Sequence, residues 1–484
     1  MLVTMLALEV AIPYAMRMKT NSLHVFAHRI FPLLSFCSVT EYLLVVRGLK
    51  ALRRSFSFTA FVVLLCWEIV LTCDSRLCVA CVAQQCTPWP MVVLSRGLCP
   101  YFHTGVRARN QWKDDGPGGA ACCGDPLLFE AYWRANPNLG TVVIPGWYRM
   151  SYLTRDNAAI LYTDALLRTI RDLHGMVGNA VTKDRYIVVG TGSMQLINAV
   201  VHSLALLNSD RVSSVVAKAP YYSAYKVQTE YLDSPLFNFA RDPARFTGNA
   251  TGRGAQIELI ASPNNPDAQI QEVPQNISEH VIYDHAYNWP HLSPITKASD
   301  HDIMLFTLSK ITGHAGSRIG WAIIKDYNLY RTVQWYVVLN TLGVSHESQL
   351  RATQLIRTII KSYSEGIRNE KGLFHYGREV LESRWATIQS ILKNSSRFSL
   401  QELKPDYCFF FAQIVDPSPG HAWIRCNYEE DVDCAAVMLS AGIIGRKFGS
   451  GNRFVRLSLL KRRSHFEILT ARLTKLVAQT SSST

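Results

Sequence analysis

Long apolar runs are scarce in this sequence of 484 residues. The run at residues 58–72 is 15 residues long and contains Glu68, whereas a membrane-spanning helix needs roughly 20 apolar residues. Because Arg53 and Arg54 precede it, we interpret the run as the core of a secretory signal, left inside the chain by a start codon placed too far upstream. A membrane anchor, a buried helix and untranslated sequence wrongly joined to the gene stay open as alternatives.

Charged residues are also few, at 18%, while hydrophobic residues make up 48% of the chain. This composition is typical of a folded protein with a large core and excludes a disordered one. The formal net charge is +13, but the Lys and Arg residues are scattered. Recognition helices, zinc fingers and aromatic RNA-binding signatures are missing from the sequence. We therefore do not expect nucleic-acid binding.

Cysteine is rare after residue 125: nine of the twelve cysteines precede that residue and three follow it. Such crowding favours a disulfide module in an oxidising compartment. Cys78 and Cys81 have the spacing of half a zinc site, but no second pair completes it, so we expect no metal. Together with the apolar run, the cysteines favour the secretory pathway or the ER membrane over the cytoplasm. Glycosylation sequons occur at Asn249, Asn276 and Asn394.

The domain organisation follows from a Gly-rich, charged stretch at residues 112–123, which has the composition of a linker. We expect an irregular Cys-rich N-terminal region at 1–123, a large ligand-binding domain at 124–395 and a smaller C-terminal domain at 396–484. In the large domain, short β-branched runs alternate with helical stretches. This pattern predicts an α/β fold with a mostly parallel sheet covered on both faces. The predicted strands are 186–189, 212–217, 257–261, 281–284, 304–307 and 321–324.

The C-terminal part has a different pattern. Residues 326–395 are mainly amphipathic and helical, and shorter elements follow them. We predict strands at 409–414, 421–426 and 454–459, with helices at 431–439 and 465–476. This pattern indicates a small α+β domain.

A lysine directly after a predicted buried strand is the first candidate for chemistry. Lys310 follows the strand ending at Thr307, and Gly313 and Gly316 come shortly after it. A partly desolvated lysine near other cations can form a Schiff base. Arg318 then offers a fork that suits a phosphate. The alternative is an ordinary loop with an exposed lysine and a surface arginine.

Other polar groups follow the remaining strands. Ser193 begins a helix after Gly190-Thr-Gly192, where backbone N–H groups form a phosphate site, although the full dinucleotide spacing is missing. Asp284 ends a strand, and Arg456 lies inside an apolar strand, where it needs an anion. Each has a plainer interpretation, as a turn or a structural ion pair. Together they supply the groups that a pyridoxal-phosphate site requires.

Several long segments, in order, resemble the plant alliinases and tryptophan-aminotransferase-related proteins. The resemblance covers about residues 124–476. It is similarity to this family that implies fold-type I, pyridoxal 5'-phosphate as cofactor, and a homodimer with its site at the subunit interface. The segments are Ser262–Asp267, Trp289–His291, Phe306–Ala322 and Phe454–Leu459.

The resemblance also implies a role for each matched residue. Lys310 would hold the cofactor as a Schiff base and act as general base, Asp284 would pair with the pyridine nitrogen, and Arg456 would bind the substrate carboxylate. The remaining residues would hold the cofactor: Asn265 and Tyr287 at the phenolic oxygen, Tyr222 on the ring, Ser193, Ser309 and Arg318 at the phosphate, and Tyr152 at the phosphate of the neighbouring subunit.

Four positions depart from the family's pattern. Met194 stands where relatives usually have threonine, Ala268 replaces a usual glycine and Asn288 a usual tyrosine, and His285 is unusual. These departures bear on affinity and substrate preference more than on use of the cofactor.

The reaction itself is left open by these residues. We expect an aminotransferase for an aromatic L-amino acid such as tryptophan, with a 2-oxo acid acceptor, as in auxin biosynthesis in plants. The alternative is a carbon–sulfur lyase that cleaves cysteine sulfoxides, which the segment 397–403 resembles. A non-catalytic family member is the second alternative.

Overall fold

The computed structural model describes residues 126–148, 150–152, 162–208, 210–241, 255–272, 278–364, 370–446 and 448–481. The cysteine-rich region, the apolar run at 58–72 and the sequons at Asn249 and Asn276 lie outside these residues, and so the predictions made for them stay predictions. In the described part of the chain, no helix is both long and apolar enough to cross a membrane.

A seven-stranded sheet forms the centre of the fold. Its order is β1-β7-β6-β5-β4-β2-β3. Strand β7 runs antiparallel to both neighbours, and the other pairs are parallel. The predicted α/β class with a mostly parallel sheet is therefore confirmed, although β3 was not predicted. The strands are β1 (Tyr186–Gly190), β2 (Ser213–Val216), β3 (Phe237–Arg241), β4 (Gln256–Ala261), β5 (His280–Asp284), β6 (Ile303–Thr307) and β7 (Gly320–Ile324).

Both faces of this sheet are buried. Along β6, Met304 and Phe306 pack into one hydrophobic cluster, while Ile303 and Leu305 pack into another. Successive strand residues point to opposite faces, so an uninterrupted apolar run serves two cores at once. This is why the strands of the large domain are almost uniformly apolar.

Helices cover the sheet and continue beyond it. The first long one, α2, buries Leu166, Ile170, Leu173 and Val177 at helical spacing, and it ends at Gly178 in the left-handed conformation. The helices are α1 (Glu130–Ala135), α2 (Asp164–Val177), α3 (Ser193–Leu207), α4 (Ala224–Leu232), α5 (Leu308–Ile311), α6 (Tyr327–Thr341), α7 (His346–Ser364), α8 (Leu373–Leu392), α9 (Cys434–Ser440) and α10 (Arg463–Ser481).

After α8 the chain forms two small antiparallel sheets. One pairs β9 (Asp406–Cys408) with β10 (Gln413–Val415), and the other has the order β12-β11-β8. The predicted strand at 409–414 is wrong, because residues 409–412 form the turn between β9 and β10. The strands of the second sheet are β8 (Phe398–Leu400), β11 (His421–Cys426) and β12 (Phe454–Ser458).

A disulfide joins Cys426 at the end of β11 to Cys434 at the start of α9. Helix α9 begins three residues later than predicted because the Asp433 carboxylate caps it and accepts hydrogen bonds from two backbone N–H groups. The division of the chain at residue 395 stays a prediction.

Candidate active site

A cavity of about 190 Å³ lies where β4, β5 and β6 end. Ala261, Asp284 and Thr307, the last residues of these three strands, all line it. Open α/β sheets bind ligands at this edge, because parallel strands present the loops after their carboxyl ends on one side. The cavity is lined by Ser193, Met194, Tyr222, Ser223, Ala261, Asn265, Asp284, Ala286, Tyr287, Thr307, Ser309, Lys310, Ala315, Arg318, Arg446, Phe448 and Arg456.

Lys310 enters the cavity from α5, the short helix that follows β6. The Thr307 side chain caps this helix by accepting from the Ser309 N–H. The His291 Nε2 atom lies 3.0 Å from the Lys310 carbonyl oxygen and donates to it. Burial lowers the pKa of His291 to about 4, so the ring is a neutral donor that fixes the lysine backbone. The Lys310 Nζ atom lies 5.6 Å from the centre of the Tyr287 ring.

The glycine-rich turn after β1 builds one end of the cavity. Gly192 has a φ of 86°, a conformation that favours glycine, and α3 begins at the next residue, Ser193, without a side-chain cap on its first N–H groups. Arg318 reaches across to this turn, and its Nη2 donates to the Thr191 carbonyl at 3.3 Å. A side chain at Gly320 would place its Cβ 2.7 Å from the Ser193 nitrogen. Glycine at 320 therefore lets the turn lie against β7.

Asp284 is the one acidic residue of the cavity lining and is 5% exposed. Its Oδ2 accepts from the Tyr225 hydroxyl at 3.0 Å, and its Oδ1 accepts from the Ala286 N–H at 3.1 Å. Burial raises the pKa of the carboxyl, and the hydrogen bond from Tyr225 acts in the opposite direction. A cation placed beside Asp284 would stabilise its ionised form.

Arg456 projects into the cavity from β12 and is 7% exposed. Its Nη1 donates to the Asn265 Oδ1 at 2.8 Å, and its guanidinium carbon lies 4.3 Å from the centre of the Phe448 ring. Among the described residues, no carboxylate forms an ion pair with it, and its Nε has no hydrogen-bond partner. Burial, with Arg446 nearby, lowers the pKa of Arg456 to about 10. A buried guanidinium without a counter-ion is costly, so this position favours an anionic ligand.

Among the residues that line the cavity, basic side chains outnumber acidic ones. Lys310, Arg318, Arg446 and Arg456 face a single carboxylate, Asp284. Such a field attracts ligands that carry more than one negative group. A phosphate at the α3 end and a carboxylate at the Arg456 end would meet this requirement.

Most predicted site residues therefore meet in one place. Lys310, Asp284, Asn265, Tyr287, Tyr222, Ser193, Ser309, Arg318 and Arg456 all line the cavity. Tyr152 does not: its side chain is 72% exposed, away from this lining. Its contribution to a neighbouring subunit stays a prediction.

Three residues at or beside the cavity were missed at the level of sequence. Tyr225 lies one helical turn after Tyr222 and donates to Asp284, Arg446 lines the cavity, and His421 contacts both Tyr287 and Arg456. A tyrosine three residues after Tyr222 was a usable signal for Tyr225, because the chain turns between the two and brings them close together. His421 could not be found in this way, because its partners are far away in sequence.

The departures from the family's pattern have different positions. Met194 lines the cavity, so the absent hydroxyl is missing from the site itself. Ala268 adopts a φ of 60°, the left-handed region in which glycine is favoured. Asn288 lies outside the cavity lining, and its carbonyl accepts from the Asn179 side chain at 2.7 Å.

The fold is the fold-type I architecture that aminotransferases of known structure share. The structure is similar to that of an aminotransferase from Staphylococcus aureus, with a TM-score of 0.51 and 15% identity over 75% of this chain and 92% of that one. It is also similar to a multiple substrate aminotransferase from Thermococcus profundus, with a TM-score of 0.51 and 14% identity over 75% and 88% of the two chains. At this level of identity the likeness concerns the fold.

The chain belongs to the allinase family, whose family model matches residues 120–477. It is 40% identical to tryptophan aminotransferase-related protein 3 of Arabidopsis thaliana, over 74% of this chain and 78% of that one. It is 39% identical to the alliin lyase of Allium cepa var. aggregatum, over 77% and 84% of the two chains. The predicted family is therefore confirmed, and its relatives carry names of two different reactions.

Proposed function

We propose that this protein is a pyridoxal-phosphate-dependent aminotransferase that acts on an aromatic L-amino acid, such as tryptophan, with a 2-oxo acid as acceptor. The observation that carries the proposal is Arg456, a buried guanidinium without a carboxylate partner among the described residues, in the same cavity as Lys310 and Asp284. An amino acid and a 2-oxo acid share the carboxylate that this position requires.

The residues present fit pyridoxal phosphate. The cavity combines a lysine, a buried carboxylate, an aromatic ring and a helix N-terminus beside an arginine. Bound there, the cofactor would supply an electron sink for the bonds at the substrate's α-carbon. The residues that would hold it are Lys310, Asp284, Asn265, Tyr287, Tyr222, Ser193, Ser309 and Arg318.

The chain's own residues have three tasks in this proposal. Arg456 binds the substrate carboxylate and so fixes which α-carbon bond is aligned for cleavage. The Lys310 amine acts as the general base that takes the proton from the substrate's α-carbon, and it returns this proton in a later step of the transfer. The Asp284 carboxylate, held by Tyr225 and the Ala286 N–H, keeps a negative charge at the floor of the cavity.

A carbon–sulfur lyase is the second candidate, and it is favoured by the alliin lyases among the relatives. Loss of a β-substituent after proton removal would use the same three residues. The segment 397–403, which resembles the alliinases, does not line the cavity. Arg397 instead forms a bidentate ion pair with Asp431. This segment therefore gives the lyase no support.

The test is an assay of the purified protein with tryptophan plus pyruvate and, separately, with an alkyl cysteine sulfoxide. We expect transfer of the amino group to pyruvate. Pyruvate release from the sulfoxide without amino transfer would establish the lyase instead. The Lys310→Ala variant should lose the visible absorbance of the bound cofactor. A parent protein that shows no such band would support the non-catalytic alternative.

Three further properties belong to the proposal. A homodimer would bring Tyr152 of one subunit to the site of the other, and analytical ultracentrifugation tests this. We also propose a role in auxin biosynthesis, with tryptophan, the amino acid that the names of the tryptophan aminotransferase-related relatives carry, as the substrate. The Cys426–Cys434 disulfide supports residence in an oxidising, secretory compartment rather than the cytoplasm. Fractionation of cells that express the tagged full chain would decide the compartment.

A further inference from the structure

His421 lies behind the cavity wall, between two of the residues that line it. It is the first residue of β11 and is 3% exposed. Its Nε2 atom lies 3.0 Å from the Tyr287 hydroxyl and 3.3 Å from the Arg456 Nη1. Arg456 pairs with Trp423 across the β11–β12 ladder, so the side chain two residues earlier on β11 lies on the same face.

The protonation state of His421 follows from these contacts. An arginine N–H can only donate, so the Nε2 atom that it meets must carry a lone pair and the ring proton must lie on Nδ1. Burial and the positive charges of Arg456 and Lys310 lower the pKa of His421 well below its usual value, so the ring is neutral. A neutral imidazole in this tautomer has a single lone pair at Nε2.

Two donors compete for that lone pair. The Tyr287 hydroxyl also receives a hydrogen bond from the Asn265 Nδ2 at 3.4 Å, and the Asn265 Oδ1 receives one from Arg456 at 2.8 Å. Tyr287, His421, Arg456 and Asn265 thus form a closed ring of hydrogen bonds. When the Tyr287 proton points to His421, the tyrosine offers a lone pair to the cavity. When Arg456 donates to the Nε2 lone pair of His421, the Tyr287 hydroxyl proton can point into the cavity instead.

We propose that His421 is a positioning residue that makes the orientation of the Tyr287 hydroxyl depend on whether Arg456 has bound a carboxylate. A carboxylate bound by Arg456 draws its N–H groups away from His421, and the Tyr287 proton then turns towards His421. The inference rests on the proposed cofactor site, and it holds for transamination and elimination alike because both use Arg456.

The test uses two amides of different length. Gln places its amide where Nε2 lies, and Asn places its amide where Nδ1 lies, so His421→Gln keeps an acceptor for the two partners and His421→Asn does not. Both variants are loaded with pyridoxal phosphate, and 3-phenylpropionate, a carboxylate without an amino group, is titrated while the visible band is recorded. Isothermal titration of the same ligand into cofactor-free protein repeats the measurement without the cofactor.

We expect 3-phenylpropionate to bind H421N about tenfold more tightly, because the acceptor that competes with the carboxylate for Arg456 is gone, and to bind H421Q with near wild-type affinity. The wild-type band should shift when the ligand binds, and the H421N band should shift less. With tryptophan as the amino acid, KM of H421N should fall because His421 no longer competes for Arg456, and kcat should fall because the Tyr287 hydroxyl is no longer oriented. Equal behaviour of H421N and H421Q would overturn the proposal, because a residue that only fills space does not distinguish them.

The experiment distinguishes failure of the proposed cofactor site from failure of the proposed role of His421. A wild-type protein without a visible band refutes the cofactor site, whereas a wild-type band with an unchanged H421N refutes the role of His421. Should H421N not fold, His421→Phe replaces it, since its ring fills the space and accepts no hydrogen bond, and the same tighter binding is expected. The ¹⁵N chemical shifts of labelled wild-type protein read the tautomer directly, and a proton on Nε2 of His421 would contradict the inference.

Discussion

Replacement of Arg456 by lysine tests the site most directly, since it keeps the positive charge and removes the planar fork. The Arg456 guanidinium is fixed by three neighbours: the Asn265 Oδ1 at 2.8 Å, the His421 Nε2 at 3.3 Å and the Phe448 ring at 4.3 Å. Lysine cannot hold these contacts and bind a carboxylate through two parallel hydrogen bonds at the same time.

The expected loss follows from the burial of this group. Removing one partner of a buried, hydrogen-bonded charge pair costs roughly 2–5 kcal/mol. Because lysine retains the charge, we expect the lower part of this range, a fall in kcat/KM of about 100-fold, or about 2.7 kcal/mol. Most of the fall should appear in KM, since Arg456 binds the carboxylate in the ground state as well.

The assay is steady-state transamination over a range of amino-acid concentrations, with Arg425→Lys as the matched control. Arg425 lies on the neighbouring strand β11, but it is exposed and outside the cavity lining. The control should keep wild-type kinetics. If R456K also retained wild-type kcat/KM, the carboxylate would be bound elsewhere, with Arg446 as the next candidate, and the reasoning from the unpaired guanidinium would be refuted.

The remaining predictions concern backbone, packing and pH. Ala268→Gly should stabilise the protein by about 1 kcal/mol, because Ala268 has a φ of 60°, and a denaturant melt that shows no gain would contradict this. Gly320→Ala should weaken pyridoxal-phosphate binding about tenfold by overpacking against the nitrogen of Ser193, as equilibrium dialysis would show. Burial lowers the pKa of His174 to about 4. Because the unfolded chain binds a proton at this residue below about pH 6.5 and the folded chain does not, the free energy of unfolding falls by about 3 kcal/mol as the pH falls from 6.5 towards 4. His174→Gln should flatten the fall in the urea midpoint between pH 7 and 4.5, and an unchanged pH profile would speak against it.

The sheet was predictable because its signal is local. Each of the strands β1, β2, β4, β5, β6 and β7 is an apolar run with a polar or glycine boundary, and each was predicted to within about two residues. Strand β3 was missed because it lies at the edge of the sheet and its polar residues, Asn238 and Arg241, interrupt the apolar run that marked the other strands. The strand predicted at 409–414 failed because apolar Phe409–Phe411 continue into a turn, where Ala412 adopts a φ of 52°.

The sequence by itself determined which groups the site would use. Asp284 is the last residue of a strand, and Lys310, Asn265 and Ser193 each follow one, so these groups meet where the strand ends of a mostly parallel sheet share one edge. Arg456 was predictable for a similar reason, since an arginine inside an apolar strand needs an anion.

Only the tertiary structure decided how these groups are connected to each other. His421 and Arg456 meet through the register of β11 against β12, and Tyr287 and Asn265 reach them from a different sheet. The contacts of Tyr287 with His421 and of Asn265 with Arg456 join residues 134 and 191 positions apart, and a local pattern carries no information about them. That no carboxylate among the described residues forms an ion pair with Arg456 could likewise be seen only in the three-dimensional structure.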